Sequence, residues 1–269
     1  MAILKGNLHL EGNLGGLSFY TRRGSEQIIV RSKGGASKQM IKSSPKFEKL
    51  RLQQNEWKGC TRLASGIKNV FGGLQRVADY NLTSSLNALA KNIQKTDVEN
   101  EVGKRNIRLS SCRQALSGFN FNRTYAFNSI LKVSVFGEID RENLKATVRI
   151  PRINATVDLL NVRKLPYYRI LTCLGSVSDM VYSDDLNQYV PANEGLNGIF
   201  QLYSSEWIPS ESIREEQIVD ISLNETFSGM LTDEITLIVS VAVEFGKVAF
   251  DGKPQQEKYA GSGKVLVCA

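Results

Sequence analysis

Histidine is nearly missing from this chain: among 269 residues there is one, His9. A Ser-His-Asp or Cys-His nucleophile arrangement would have to be built on it, and no nucleophile-elbow sequence accompanies it. Cysteine is also sparse. Cys60, Cys112, Cys173 and Cys268 are scattered without a close pair, which fits reduced thiols in a core better than a disulfide framework or a zinc site. No run of about eighteen apolar residues is present to span a bilayer, so no membrane partner is expected. The opening MAILKGNLHLEGN lacks the charged region, apolar block and small-residue cleavage site of a secretory signal. Cytoplasmic residence, or a virion for a phage-derived protein, is therefore the expectation. The Asn-x-Ser/Thr matches at Asn81, Asn122, Asn154 and Asn224 are then expected to be chance.

Phosphate-loop chemistry is missing too. AGSGKV, Ala260 to Val265, has the look of the end of such a loop, but the first glycine is absent at the required spacing. Lys264 is followed by Val rather than Ser or Thr, and too few residues remain for a helix. It reads as strand. Asp184-Asp185 and Glu215-Glu216 are adjacent pairs whose side chains diverge in extended chain, so they read as solvated loops. No catalytic residue, metal, cofactor or small-molecule substrate is inferred. A carboxylate cluster assembled in three dimensions is the remaining route to an enzyme.

What is present is basic charge, unevenly placed. The formal net charge is +7. Residues 1–115 hold 20 Lys+Arg against 8 Asp+Glu, and the remainder 14 against 19. A basic front and an acidic back allow a front that meets nucleic acid, a front that meets the acidic back of a neighbouring copy, or two solvated surfaces with no partner.

The basic front has strand periodicity on both sides of the turn RRGSE. Leu17, Phe19 and Thr21 alternate with Ser18, Tyr20 and Arg22, and Ile28 and Val30 alternate with Ile29, Arg31 and Lys33. This predicts a β-hairpin in which Gly24 supplies the positive backbone angle of the turn. One face holds Leu17, Phe19, Ile28 and Val30 and needs a cover, since an isolated hairpin is marginal in water. The other presents Tyr20, Arg22, Arg23, Arg31 and Lys33, continued by Lys38 and Lys42, as contacts for nucleic acid or an acidic partner. The pairs Gly15-Gly16 and Gly34-Gly35 read as hinges.

Helical periodicity follows. Ser44 with Pro45 predicts a helix start, carrying Phe47, Leu50, Gln54 and Trp57 until Gly59 stops it. A second stripe runs through Leu63, Ile67, Val70, Phe71, Leu74 and Val77, and a third through Leu82, Leu86, Leu89 and Ile93. The polar segment Gln94 to Asn106 reads as an internal boundary, and residues 107–116 as a short fourth helix. Beyond about Gly118 the chain reads as strand. FNFNRTYAFN puts Phe119, Phe121, Tyr125 and Phe127 on one face, and ILKVSVFGEI, LKATVRI, ATVDLLNV, YYRILTCLGSV, GIFQLYSSEWI, QIVDISL and EITLIVSVAVEF follow. Glu234 to Phe245 is apolar on both faces and should be central. A closing hairpin turns at Asp251-Gly252.

The expectation is an α+β protein with an N-terminal β-hairpin and helical segment followed by a C-terminal antiparallel β-sandwich. Its parts are a basic hairpin arm (1–43), a region of three or four helices (44–117) and the sandwich (118–269). The pieces G-x-L-S-F-Y (Gly15–Tyr20), I-V-R-x-K-G-G (Ile29–Gly35) and S-P-x-F (Ser44–Phe47), with AGSGKVLVCA at the end, resemble a signature of a family of uncharacterised bacterial proteins. That resemblance implies a bacterial or bacteriophage source and carries no activity. The expected function is a non-enzymatic, self-assembling structural subunit, of a phage-like particle or cytoplasmic filament, that forms homo-oligomers through the arm. Nucleic-acid binding by the same arm is the alternative.

Overall fold

The computed structural model describes residues 2–4, 11–21, 27–32 and 34–269. Its internal contacts divide the chain into two compact units, residues 1–51 and 52–269.

In the first unit, β1 (Ala2–Leu4), β2 (Gly12–Leu14), β3 (Leu17–Thr21) and β4 (Ile28–Ser32) make one antiparallel sheet in the order β1-β4-β3-β2. The pairing of β3 with β4 follows the alternation of their side chains, and two further strands extend it. Gly15-Gly16 is not a hinge. It is the two-residue turn between β2 and β3, which sets Leu14 opposite Leu17 and holds Gly15 at φ +56°. Such turns need positive φ to match the strand twist, which glycine supplies without a Cβ clash. His9, Lys33 and the RRGSE turn with Arg22, Arg23 and Gly24 lie outside the described residues. Ser37 then caps α1 (Lys38–Ser43), its hydroxyl accepting from the Met40 amide at 3.1 Å.

A 3-10 turn, Pro45–Phe47, leads into α2 (Glu48–Val70). The expected break at Gly59 does not occur. A Cβ there would lie 2.7 Å from the Ile107 and Tyr189 side chains, so the glycine permits close packing in mid-helix. α2 is 23 residues long and buries Cys60, Leu63, Ile67 and Val70 on one side. Phe71, Leu74 and Val77 continue the stripe through a 3-10 turn, Gly72–Val77, and α3 (Leu82–Gln94) follows, capped by Asn81. Residues 109–116 are 3-10 turns and not an α-helix.

The polar segment Gln94 to Asn106 is tied in rather than forming a boundary. Asp97 accepts from the amides of Glu99, Asn100 and Asn106. Nor is Phe119 to Phe127 a strand. Phe119 stacks with Phe71 at a centroid distance of 6.1 Å, Phe121 packs tilted against the same ring at 4.5 Å, and Phe127 opens α4 (Phe127–Ile130).

The rest is β5 (Phe136–Asp140), β6 (Lys145–Ile150), β7 (Ile153–Asn154), α5 (Ala155–Asp158), β8 (Tyr167–Ser178), β9 (Met180–Ser183), β10 (Gln188–Pro191), β11 (Ile199–Ser204), β12 (Ile208–Pro209), β13 (Ile213–Arg214), β14 (Gln217–Ser222), β15 (Ile235–Val248) and β16 (Pro254–Cys268). ATVDLLNV is largely helix and turn instead of strand, because Asn154 caps α5 by accepting from Thr156 N. Asn81 and Asn224 cap helical turns in the same way, so three of the four Asn-x-Ser/Thr matches are helix starts.

The larger sheet runs β11-β8-β15-β16, with β12 also on β8, and the smaller runs β14-β6-β5. β15 is central, as its two apolar faces require. Alternate residues divide between two cores. Ile238 and Ala242 meet Leu63, Ile67, Val70 and Leu86 of the helices, whereas Val239, Val241 and Val243 meet Val148, Ile150, Val219 and Ile221 of the smaller sheet. The fold is α+β. Its two sheets pack as a sandwich that shares the larger sheet with the helices, so α2 from Leu52 onward, α3 and the sandwich fall in one unit, with no division near residue 118.

Candidate functional site

The register of the N-terminal sheet sets Phe19 opposite Val30 and Thr21 opposite Ile28, and Leu14 opposite Leu17. Leu17, Phe19, Ile28 and Val30 therefore share a face, joined by Leu14. Cover is incomplete: Ile28 is buried, Phe19 and Val30 are half-buried, and Leu17 and Leu14 are 43% and 71% exposed. Tyr20 and Arg31 share the other face, the guanidinium lying 5.5 Å from the ring centroid. Lys38 and Lys42 are exposed on α1, one turn apart. Arg22, Arg23 and Lys33 are outside the described residues, so the described part of the basic ridge is Arg31, Lys38 and Lys42.

Among the described residues, the second unit contains three buried carboxyl groups. Glu56, fully buried on α2, accepts from Gly103 N at 2.9 Å, from Arg105 Nε and Nη2 at 2.7 and 2.8 Å, and from Lys91 Nζ at 3.1 Å. Burial raises its pKa, but these donors outweigh that and hold it at about 2. This is a structural staple between α2, α3 and the loop that follows. Asp179 accepts from Ser110 N at 2.9 Å and Ser110 Oγ at 2.5 Å, and burial pushes its pKa up despite them. Glu244 on β15 pairs with Arg169 on β8, whose guanidinium lies 4.5 Å from the Trp207 ring centroid. Its second oxygen has no hydrogen-bond partner, and burial pushes its pKa up. Sequence periodicity gave no sign of these groups, because each is a charged residue at an otherwise apolar or ordinary position.

The chemistry available is limited. Among the described residues, no group of three or more His, Cys, Asp or Glu side chains is placed to hold a metal ion. The four thiols are unpaired. Burial pushes Cys60 to about 11 and Cys173 and Cys268 to about 12, so at neutral pH they are not nucleophilic thiolates. The adjacent acids make exposed ion pairs: Asp184 with Lys104, Glu216 with Arg149 at 2.8 Å, and Glu215 with Arg152 at 3.6 Å. The AGSGKV segment lies within β16. A concavity of about 510 Å³ on the outer face of the smaller sheet is lined by Glu138, Asp140, Lys145, Thr147 and Asp220, with Thr147 Oγ1 donating to Asp220 at 2.7 Å. No helix among the described residues is long and apolar enough to cross a membrane. Comparison of the chain with protein-family models, curated proteins and solved structures finds no match.

Proposed function

We propose that this protein is a non-enzymatic structural subunit that assembles with copies of itself, the N-terminal sheet docking on a neighbour in a filament or phage-like particle. The observation that carries this reading is the partly uncovered apolar face of Leu14, Leu17, Phe19 and Val30. Burying apolar area on association is the main favourable term in assembly, and the short strands β1 and β2, which end the sheet among the described residues, offer backbone edges for strand addition.

The second reading, nucleic-acid binding, is favoured by Arg31 beside Tyr20 and by the exposed Lys38 and Lys42, a cation-and-aromatic surface suited to phosphates and bases. Light scattering on nuclease-treated full-length protein separates the two. Assembly predicts particles that persist at high salt, shrink with Leu14→Asp/Leu17→Asp and ignore Arg31→Ala/Lys38→Ala. A monomer at every concentration and salt would sink it. Salt-sensitive binding to DNA or RNA, weakened by the basic substitutions, would favour the second reading.

A further inference from the structure

The hairpin of β15 and β16 is longer than the sheet it belongs to. β8 pairs with β15 as far as Gly246 opposite Tyr167, whereas β15 and β16 stay paired through Lys247 opposite Gln255 and Val248 opposite Pro254. The tip closes with Ala249 N donating to Lys253 O at 2.8 Å and Gly252 at φ +79°. At that tip Phe250 is fully exposed and Val248 is half-exposed. A two-stranded ribbon without a covering face is marginal in water, and this one ends in an aromatic ring with nothing on it.

Near the base of the same hairpin is a small apolar cleft. β16 loses register there, with Gly261 opposite Glu244 and Gln256 opposite Gly246, so residues 257–260 bulge from the ladder. Tyr259 in the bulge is held at φ +59°, a region that aromatic side chains seldom adopt. Lys258 O accepts from Arg163 Nη1 at 3.1 Å, and Glu257 pairs with Lys247 at 2.6 Å. The bulge opens an 80 Å³ cleft lined by Tyr125, Ile130, Leu160, Val162, Phe245 and Tyr259. Ligand sites run from about 300 Å³ upward, so the cleft suits part of one side chain rather than a cofactor. The exposed Arg163 lines the cleft, 3.9 Å from Glu257, and the exposed Lys164 and Lys258 each adjoin a lining residue in sequence, whereas at the tip the exposed anion Asp251 directly follows Phe250, with Lys253 two residues on.

From this we infer that the hairpin tip is a docking element whose receptor is the bulge cleft of a second copy of this chain: Phe250 fills the cleft and Asp251 meets the basic rim. Tip and cleft belong to one hairpin, so two copies can exchange tips about a two-fold axis, each giving and receiving the same residues. The contact uses residues 125–261 and is independent of the N-terminal sheet.

The test is sedimentation velocity over a concentration series, with full-length protein carrying Leu14→Asp/Leu17→Asp so that the N-terminal face does not contribute. A dimer is expected, weakened at least tenfold by Phe250→Ser and by Val162→Glu. Equimolar mixing of those two variants should restore a weaker heterodimer, because one intact tip then meets one intact cleft. Both positions are at least half-exposed, so thermal midpoints should match the parent and exclude misfolding. A monomeric parent overturns the inference and leaves the N-terminal reading standing. Dimers indifferent to both substitutions, or no recovery on mixing, also overturn it and point to a different occupant.

Discussion

The N-terminal and central sheets are both antiparallel and similar in strand number, yet they are specified by different means. Along β15, every side-chain position from Ile235 to Gly246 is buried. Along β4, burial is confined to Ile28 and Ile29, and exposure rises towards Ser32. The central sheet is locked by two cores, since a one-residue slip would exchange the residues facing helices for those facing the smaller sheet. The N-terminal sheet relies on backbone pairing and on the Gly15-Gly16 turn. A sheet of the first kind contributes to a stable fold, and one of the second kind is suited to completing its burial on a partner.

Truncation gives the largest test of that contrast. Leu63→Ala removes a fully buried side chain between α2 and the central sheet and should cost about 3 kcal/mol, through lost transfer energy and the cavity left behind. Leu14→Ala, at a position 71% exposed, should stay within about 0.5 kcal/mol in protein kept monomeric by dilution. Urea unfolding measures both. Comparable losses would break the comparison, because they would mean that the N-terminal face is already covered.

Buried charge sharpens it at an intermediate scale, since the interior that covers β15 also holds two carboxyls with opposite behaviour. Glu56 has a folded pKa of about 2, below its ordinary 4.5. It contributes stability above about pH 4.5 that is lost as pH falls towards 2. Glu244 is shifted upward, so its contribution is complete below its ordinary value and is lost as pH rises through the folded one. Glu56→Gln should flatten the acid limb of a plot of melting temperature against pH. Glu244→Gln should flatten the decline on the rising side and leave the acid limb in place. If both substitutions moved the same limb, the assignment of donors to Glu56 and of an orphan oxygen to Glu244 would be wrong.

Much of this architecture was legible because apolar spacing reports directly on burial. The stripes of α2 and α3, the centrality of β15, the β3–β4 alternation and the turn at Asp251-Gly252 all follow from period and turn chemistry. The misreadings have physical causes. Gly59 looked like a helix stop, yet it is there because Ile107 and Tyr189 press on the helix. The aromatics from Phe119 to Phe127 alternate as strand residues do, yet Phe119 and Phe121 wedge against Phe71 while Phe127 enters the core between the two sheets. The tip at Phe250 and the cleft beside Tyr259 were invisible, because alternation shows which face of a strand is apolar and not where one strand outruns its neighbour.

The finest probe of the contrast is the Gly15 turn. Ala at φ +56° places a Cβ where L-residues are disfavoured by about 1 kcal/mol, and open space around Gly15 means that no packing change accompanies it. If turn geometry is what holds β2 to β3, Gly15→Ala should speed hydrogen exchange of the Leu14 and Leu17 amides about fivefold. Exchange along β8 and β15 should be unchanged. Assembly shifts the result in a defined way: where the sheet is covered by a neighbour, the same substitution should lose most of its effect on exchange and appear instead as weaker association. An effect that spread into β15 would mean that the two sheets unfold together, and the contrast between a core buried on both faces and a sheet with an exposed apolar face would fail.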